Sequence, residues 1–272
     1  MPKEAIAGFN TYWDQFGKSD RKGLLLHCTM GSMAAWRGMI EHIGPEYSWT
    51  AFDMPGHGKS DDWSFDRDFH RTGTEIGKAL MGGEPMDVVG HSFGGSIALR
   101  LALEMPELVK SLTLIEPVVL SIIFQDDPHY QQKYDQDHRG YRDGIDAKDY
   151  EKAAREFAVH WGDDVPWDDV PDKYKDMMID KIIMIEQGEP VVYHDTYGFS
   201  QKGRLSAIKC PVLLVQGTTS HDSVGRVNDA LERRIEHTER VHIAGAGHMV
   251  PLSHPVEMAQ VLDKFLTKNM TA

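Results

Sequence analysis

The chain has 272 residues, and its 42 Asp and Glu against 29 Lys and Arg give a formal charge of −13. So acidic a surface lacks the basic face that phosphate backbones require, and no nucleic-acid partner is expected. At 41% hydrophobic the chain can bury a sizeable core, yet no apolar run reaches the ~18 residues of a membrane span, so no membrane partner is expected either. In chain order, the aromatics of residues 9–16 suggest an early edge strand, and 19–23 a turn. Residues 24–27 form a short apolar run of the kind buried on both faces of a parallel sheet. A loop over 28–32 leads to a helix over 33–43 and a strand over 49–53. The strand ends in Met54-Pro55-Gly56-His57-Gly58-Lys59-Ser60. Gly58-Lys59-Ser60 suggests a phosphate-binding loop, but that motif needs a glycine five residues earlier. Asp53 stands there, a carboxylate where phosphate would sit, and nucleotide binding is rejected.

A helix is expected over 72–81. Then comes the stretch around which the chain is organised: an apolar strand over 86–89, Gly90-x-Ser92-x-Gly94, and a helical pattern over 96–104 ending before Pro106. A turn this tight leaves no room for side chains at Gly90 and Gly94. It sets the Ser92 hydroxyl at the apex beside a helix N-terminus, whose free N–H groups can hold a developing oxyanion. A strand over 108–115 ends at Glu116-Pro117. From 118 to 199 the pattern changes: charge and aromatics rise, helical periodicity appears over 150–159 and 174–186, and no apolar strand recurs. The sheet pattern returns with a strand over 211–217, a helix over 223–235, a strand over 240–244, a loop over 245–249 and a helix over 255–266. These predict an α/β protein with a doubly wound, mostly parallel sheet. Residues 1–117 and 200–272 are its core and 118–199 a helical cap insertion.

A serine hydroxyl is a weak nucleophile at neutral pH and needs a base and oxyanion donors. Imidazole is the side chain that titrates near pH 7 unaided. Among 14 histidines, His248 stands out, because it lies in a Gly-x-Gly loop just after the last predicted strand. Parallel strands deliver their following loops to one sheet edge, the edge that carries Ser92, and the order serine first, histidine last fits the elbow motif.

Leu26-His27-Cys28-Thr29, the run from Asp53 to Ser60, the run from Gly90 to Gly94, the run from Pro211 to Gly217 and Gly245-Ala246-Gly247-His248 together resemble an α/β-hydrolase fold protein with a helical cap. The resemblance spans 24–266, is weakest over the cap, and specifies the fold far more than a substrate. It implies Ser92 as nucleophile and His248 as base. The N–H groups of Thr29 and Phe93 would form the oxyanion hole, although Cys28 stands where the family usually has glycine. The family's acid often lies three residues after the glycine that ends the 211–217 strand. Here that residue is Ser220, which cannot carry the charge. Asp222 lies two residues on, where it also suits the N-cap of the helix expected from Ser223. Glu116, 24 residues after Ser92 at the end of the next strand, occupies the family's other acid position. Glu116 is preferred and Asp222 remains the alternative; an ion pair with a cap arginine such as Arg142 would be Glu116's structural role instead.

His27, Met30, Trp161 and Met249 are candidates to line a substrate pocket, as are Trp36, Phe124 and Trp167, while His91 should point away from the nucleophile and His27 more readily ties loops together. The resemblance implies a serine hydrolase, a carboxylesterase on small esters acting through an acyl-enzyme. The same triad would also serve a carbon–carbon bond hydrolase or a perhydrolase. A ligand-binding or signalling protein on a hydrolase scaffold is the alternative of another class. No metal or organic cofactor is implied. Cys28 and Cys210 sit in no metal-ligand spacing and read as reduced, mostly buried thiols. Residues 1–20 lack a basic start followed by an apolar run, so no signal peptide is expected and the setting reads as cytoplasmic, with a small-molecule substrate and a possible homodimer.

Overall fold

The computed structural model describes residues 3–162 and 165–269. Eight strands form one sheet: β1 (Lys3–Ile6), β2 (Phe9–Phe16), β3 (Arg21–Leu26), β4 (Tyr47–Phe52), β5 (Met86–His91), β6 (Val109–Ile115), β7 (Val212–Gly217) and β8 (Thr238–Ile243), in the order β1-β2-β4-β3-β5-β6-β7-β8. β1 and β2 run antiparallel to their neighbours, and all pairings from β4 to β8 are parallel. The outer hairpin strand β1, KEAI, is the one strand without a sequence expectation. Three of its four residues are exposed, so it carries no apolar signature.

The central strands read as apolar runs because both faces are covered. On one face α2 (Phe69–Met81), α3 (Phe93–Glu104) and α10 (Asp222–Glu232) pack over Leu24, Val88, Leu112 and Leu214. On the other, α1 (Arg37–His42), α11 (Val250–Ser253) and α12 (Pro255–Lys268) pack over Leu25, Val89, Leu213 and Val215. Alternate residues of one strand therefore enter opposite cores, as the two-residue period requires. At the end of the sheet away from the site, buried Asp87 of β5 accepts from Arg21 of β3 at 2.7 Å and from Ser111 of β6 at 2.6 Å. This is why β3 starts in charged sequence, three residues before its apolar run.

Between β6 and β7 lie α4 (Leu120–Asp126), α5 (Pro128–Asp137), α6 (Arg139–Ala147), α7 (Tyr150–Trp161), α8 (Asp172–Lys181) and α9 (Ile183–Val192), with no strand among the described residues. Periodicity finds α7 but reads 174–186 as one helix, whereas the axis breaks at Ile182 into α8 and α9. α5 and α6, short, mostly polar and joined at His138, carry no expectation from the sequence. Among the described residues no helix is long and apolar enough to cross a membrane.

Candidate active site

β5 ends at His91, Ser92 is the turn, and α3 begins at Phe93. Ser92 holds φ 54° and ψ −118°, a conformation that costs a non-glycine residue about 1–3 kcal/mol. It persists because the surroundings over-determine it. The Ser92 N–H donates to Ile115 O at 2.9 Å, and a Cβ at Gly90 would lie 2.3 Å from Gly94 O. A Cβ at Gly94 would lie 2.2 Å from Leu26 O. Glycine at both positions is thus a matter of space.

The loop after β8 brings His248 to the serine, with His248 Nε2 2.9 Å from Ser92 Oγ and Nδ1 3.2 Å from Glu116 Oε2. With Nδ1–H donating to the carboxylate, Nε2 keeps its lone pair and accepts from the serine hydroxyl. Glu116 follows β6 directly. It is fully buried, with φ 51°, and its Oε1 accepts from Gly217 N–H at 2.6 Å and from Ser220 Oγ–H at 2.7 Å. The serine at the position that usually supplies the acid is here a donor to the carboxylate that faces the imidazole. Gly217 is held to glycine by Ala246 O, 2.1 Å from where a Cβ would stand.

The alternative acid is turned elsewhere. Asp222 lies in the first turn of α10, half exposed, where it accepts from Tyr130 OH at 2.8 Å and pairs with Arg226 at 3.5 Å. The N-cap of α10 is His221 rather than Asp222. Nor does Arg142 pair with Glu116: it bridges Glu186 and Glu189.

Thr29 lies in the loop after β3, and Phe93 opens α3. Among the described residues neither N–H has a hydrogen-bond acceptor. The side chain at Cys28 does not prevent the loop from closing: Cys28 O accepts from Gly31 N–H at 3.1 Å and from His27 Nδ1–H at 2.7 Å. Burial pushes the Cys28 thiol up to about 12, so it stays protonated against the cavity.

Three buried imidazoles hold these loops, and their role has no local signature in sequence. His27 Nε2 accepts from Met54 N–H at 2.9 Å, and His57 Nε2 accepts from Met30 N–H at 2.9 Å, next to Thr29. His91 Nε2–H donates to the carbonyl of His248 at 2.8 Å, fixing the backbone of the residue that faces Ser92. Burial lowers His27 to about 4 and His57 and His91 to about 3, so all three are neutral at pH 7. Asp53, the residue that excluded a phosphate loop, accepts from Met33 N–H and Lys59 N–H, both at 2.8 Å. The Gly58-Lys59-Ser60 turn is wrapped around this carboxylate.

A cavity of about 540 Å³ opens over Ser92, His248, Thr29 and Phe93, and its opposite wall comes from α5 to α9. Met30, Trp161 and Met249 line it. His27 does not: it is fully buried beneath the loops, because both ring nitrogens are taken by backbone groups. Trp36 belongs to the core on the far face of the sheet, Phe124 of α4 packs against the Tyr134 and Tyr193 rings, and Trp167 packs against the Tyr141 cluster of the helical segment.

A strand-to-helix turn with a strained serine, a histidine and a buried carboxylate in line, on a sheet of this order, defines a class. The alpha/beta hydrolase fold family matches residues 24–255, and the chain belongs to it. Over 252 residues the chain is 25% identical to (E)-2-((N-methylformamido)methylene)succinate hydrolase of Acinetobacter baylyi, covering 89% of both chains. Over 256 residues it is 26% identical to pimeloyl-(acyl-carrier protein) methyl ester esterase of Neisseria meningitidis, covering 90% of this chain and 93% of that one. Among solved structures, a thermophilic esterase superposes with a TM-score of 0.71 at 22% identity, covering 98% of this chain and 96% of the other. That last likeness is one of fold.

Proposed function

We propose that the protein is a serine hydrolase that cleaves small carboxylic esters through an acyl-enzyme. The observation that carries this reading is the single imidazole placed between a hydroxyl and a buried carboxylate, 2.9 and 3.2 Å away. Ser92 Oγ attacks the ester carbonyl as His248 Nε2 takes its proton, and Glu116 stabilises the resulting imidazolium. The N–H groups of Thr29 and Phe93 donate to the oxyanion, each worth about 10²–10³ in rate. His248 returns the proton to the leaving alkoxide. Water, deprotonated by the same nitrogen, then releases the carboxylic acid and restores Ser92.

The cavity supports a small, partly apolar substrate. Its volume of about 540 Å³ suits a small molecule, and Leu120, Phe157, Trp161 and Val192 offer apolar surface to an acyl chain. In this reading the helices between β6 and β7 act as a cap that sets acyl size. The test is hydrolysis of short- and medium-chain p-nitrophenyl esters by wild type and Ser92→Ala. A loss of at least about 10³-fold in kcat with an unchanged fold is expected; an alanine variant at full rate would overturn the mechanism.

A further inference from the structure

Beyond the site just described, a second group of imidazoles meets where the helical segment touches the sheet core. His138 joins α5 to α6, His160 lies near the end of α7, and His221 caps α10. One ring nitrogen from each lies within 4.8 Å of the other two. We infer that His138, His160 and His221 form a binding site for a divalent transition-metal ion of zinc's class, one that ties the helical segment to the core beside the cavity.

The partners of the remaining nitrogens support this assignment. His138 Nδ1–H donates to Tyr134 O at 2.9 Å, which leaves the lone pair on Nε2. That Nε2 is buried in a residue only 6% exposed and has no hydrogen-bond partner among the described residues. A buried nitrogen left unmatched bears its desolvation cost without compensation. His138 is stacked between Tyr134 and His160, with ring centroids 3.8 and 4.1 Å away. Stacking accounts for the position of the ring but not for its unmatched lone pair. His160 Nε2–H donates to Asp137 O at 3.1 Å, leaving Nδ1 available. His221 Nδ1 accepts from Ser223 N–H at 3.3 Å as the cap of α10, so ligation through Nε2 requires that bond to be exchanged for an Nδ1–H donated to Ser223 Oγ, 2.8 Å away, or to the Asp222 carboxylate at 3.5 Å. A histidine whose second nitrogen is held by a carbonyl, hydroxyl or carboxylate is oriented as metal ligands are.

The donor set defines the ion class. Three imidazoles suit zinc, copper or nickel, whereas calcium and magnesium require oxygen ligands. Ligation at about 2.0–2.1 Å brings tetrahedral nitrogens to within about 3.4 Å of each other, so the partly exposed His160 ring must move by about 1 Å. Two of the ligands come from the helices between β6 and β7 and the third from α10 of the core, so the ion would be a clamp across that junction. It would also steady Trp161, whose ring sits 5.6 Å from His221 and 4.7 Å from His248.

The full chain, stripped with EDTA, should be titrated with ZnCl₂ by calorimetry, alongside His160→Ala and, as the buried counterpart, His138→Gln. Wild type is expected to take up one more equivalent than either variant, at micromolar concentration or below. One equivalent should raise the Tm of wild type by several degrees and leave both variants unmoved. Cobalt substituted into wild type should show the visible absorption of a tetrahedral site, absent from the variants. If wild type and a folded variant bind zinc with equal stoichiometry and affinity, the binding belongs to other histidines and the inference fails. The same holds if wild type binds none.

Discussion

The two walls of the cavity are held by different kinds of bond. On the core wall each reacting group or its loop is held by a bond with main chain at one end or both. Ser92 is pinned through Ile115 O, His248 through its own carbonyl to His91, Glu116 through Gly217 N–H, and the Thr29 loop through Met30 N–H to His57. The helical wall is joined by side chains: Tyr141 to Glu186 at 2.6 Å, Arg142 to Glu189 at 2.6 Å, and the Phe157 and Trp161 rings against one another. A bond of the core-wall kind depends on at most one side chain and acts directly on the backbone. Side-chain pairs change with each substitution. On the proposed mechanism this difference implies a division of labour, in which rate would rest with the core wall and selectivity with the helical one.

The strongest way to break that division is at the carboxylate. Glu116→Gln should cost about 10⁴-fold in kcat, since the amide favours the wrong imidazole tautomer. Asp222→Asn should stay within about threefold, and p-nitrophenyl acetate kinetics on both variants would show it. An unchanged rate for Glu116→Gln would move the role of acid elsewhere. Next comes Gly94→Ala, whose Cβ meets Leu26 O at 2.2 Å. A loss of about 3–5 kcal/mol is expected by urea denaturation, because backbone on both sides resists the shift.

Acid should reveal the buried imidazoles of both walls. His27 is lowered to about 4, and His57, His91 and His138 to about 3, in each case mainly by burial. These folded-state values lie below the unfolded value of about 6.5. The stability these groups contribute is therefore complete above pH ~6.5 and is lost as pH falls toward 3–4. Each adds at most about 1.4 kcal/mol per pH unit to the slope. Denaturation midpoints from pH 7 to 4 should fall steeply, and His57→Gln should remove about one proton from the slope.

Two smaller effects sharpen the contrast. Ser220→Ala removes one donor from Glu116 and should lower kcat by about 10-fold, consistent with a hydrogen bond to a charged group. Phe157→Ala, on the helical wall, should leave the rate on short esters within about threefold while favouring longer acyl chains, as read from kcat/KM across chain lengths. An equal loss at all lengths would place the helical wall in the reaction itself.

Much of the core wall was legible beforehand because its rules are local. Gly90 and Gly94 answer to clashes within a few ångströms, and β5 and α3 announce themselves by period. β1 escaped because an exposed edge strand has no apolar pattern, and α5 and α6, short and mostly polar, escaped as well. His27 is read both as a pocket candidate and, more readily, as a tie between loops, and the second role is the one its bonds to Cys28 O and Met54 N–H give it. Which way the ring turns depends on Met54, 27 residues away.

By itself, the sequence determined the order of the strands from β2 to β8, the serine at a forced turn and the histidine after the last strand. Periodicity and glycine sterics act over a few residues and can be read from them. Tertiary structure alone decided that Glu116 rather than Asp222 faces His248, that Ser220 serves the carboxylate, and that His138, His160 and His221 converge. Those outcomes depend on how separate loops and helices pack, and residues up to 132 positions apart meet only once the chain has closed.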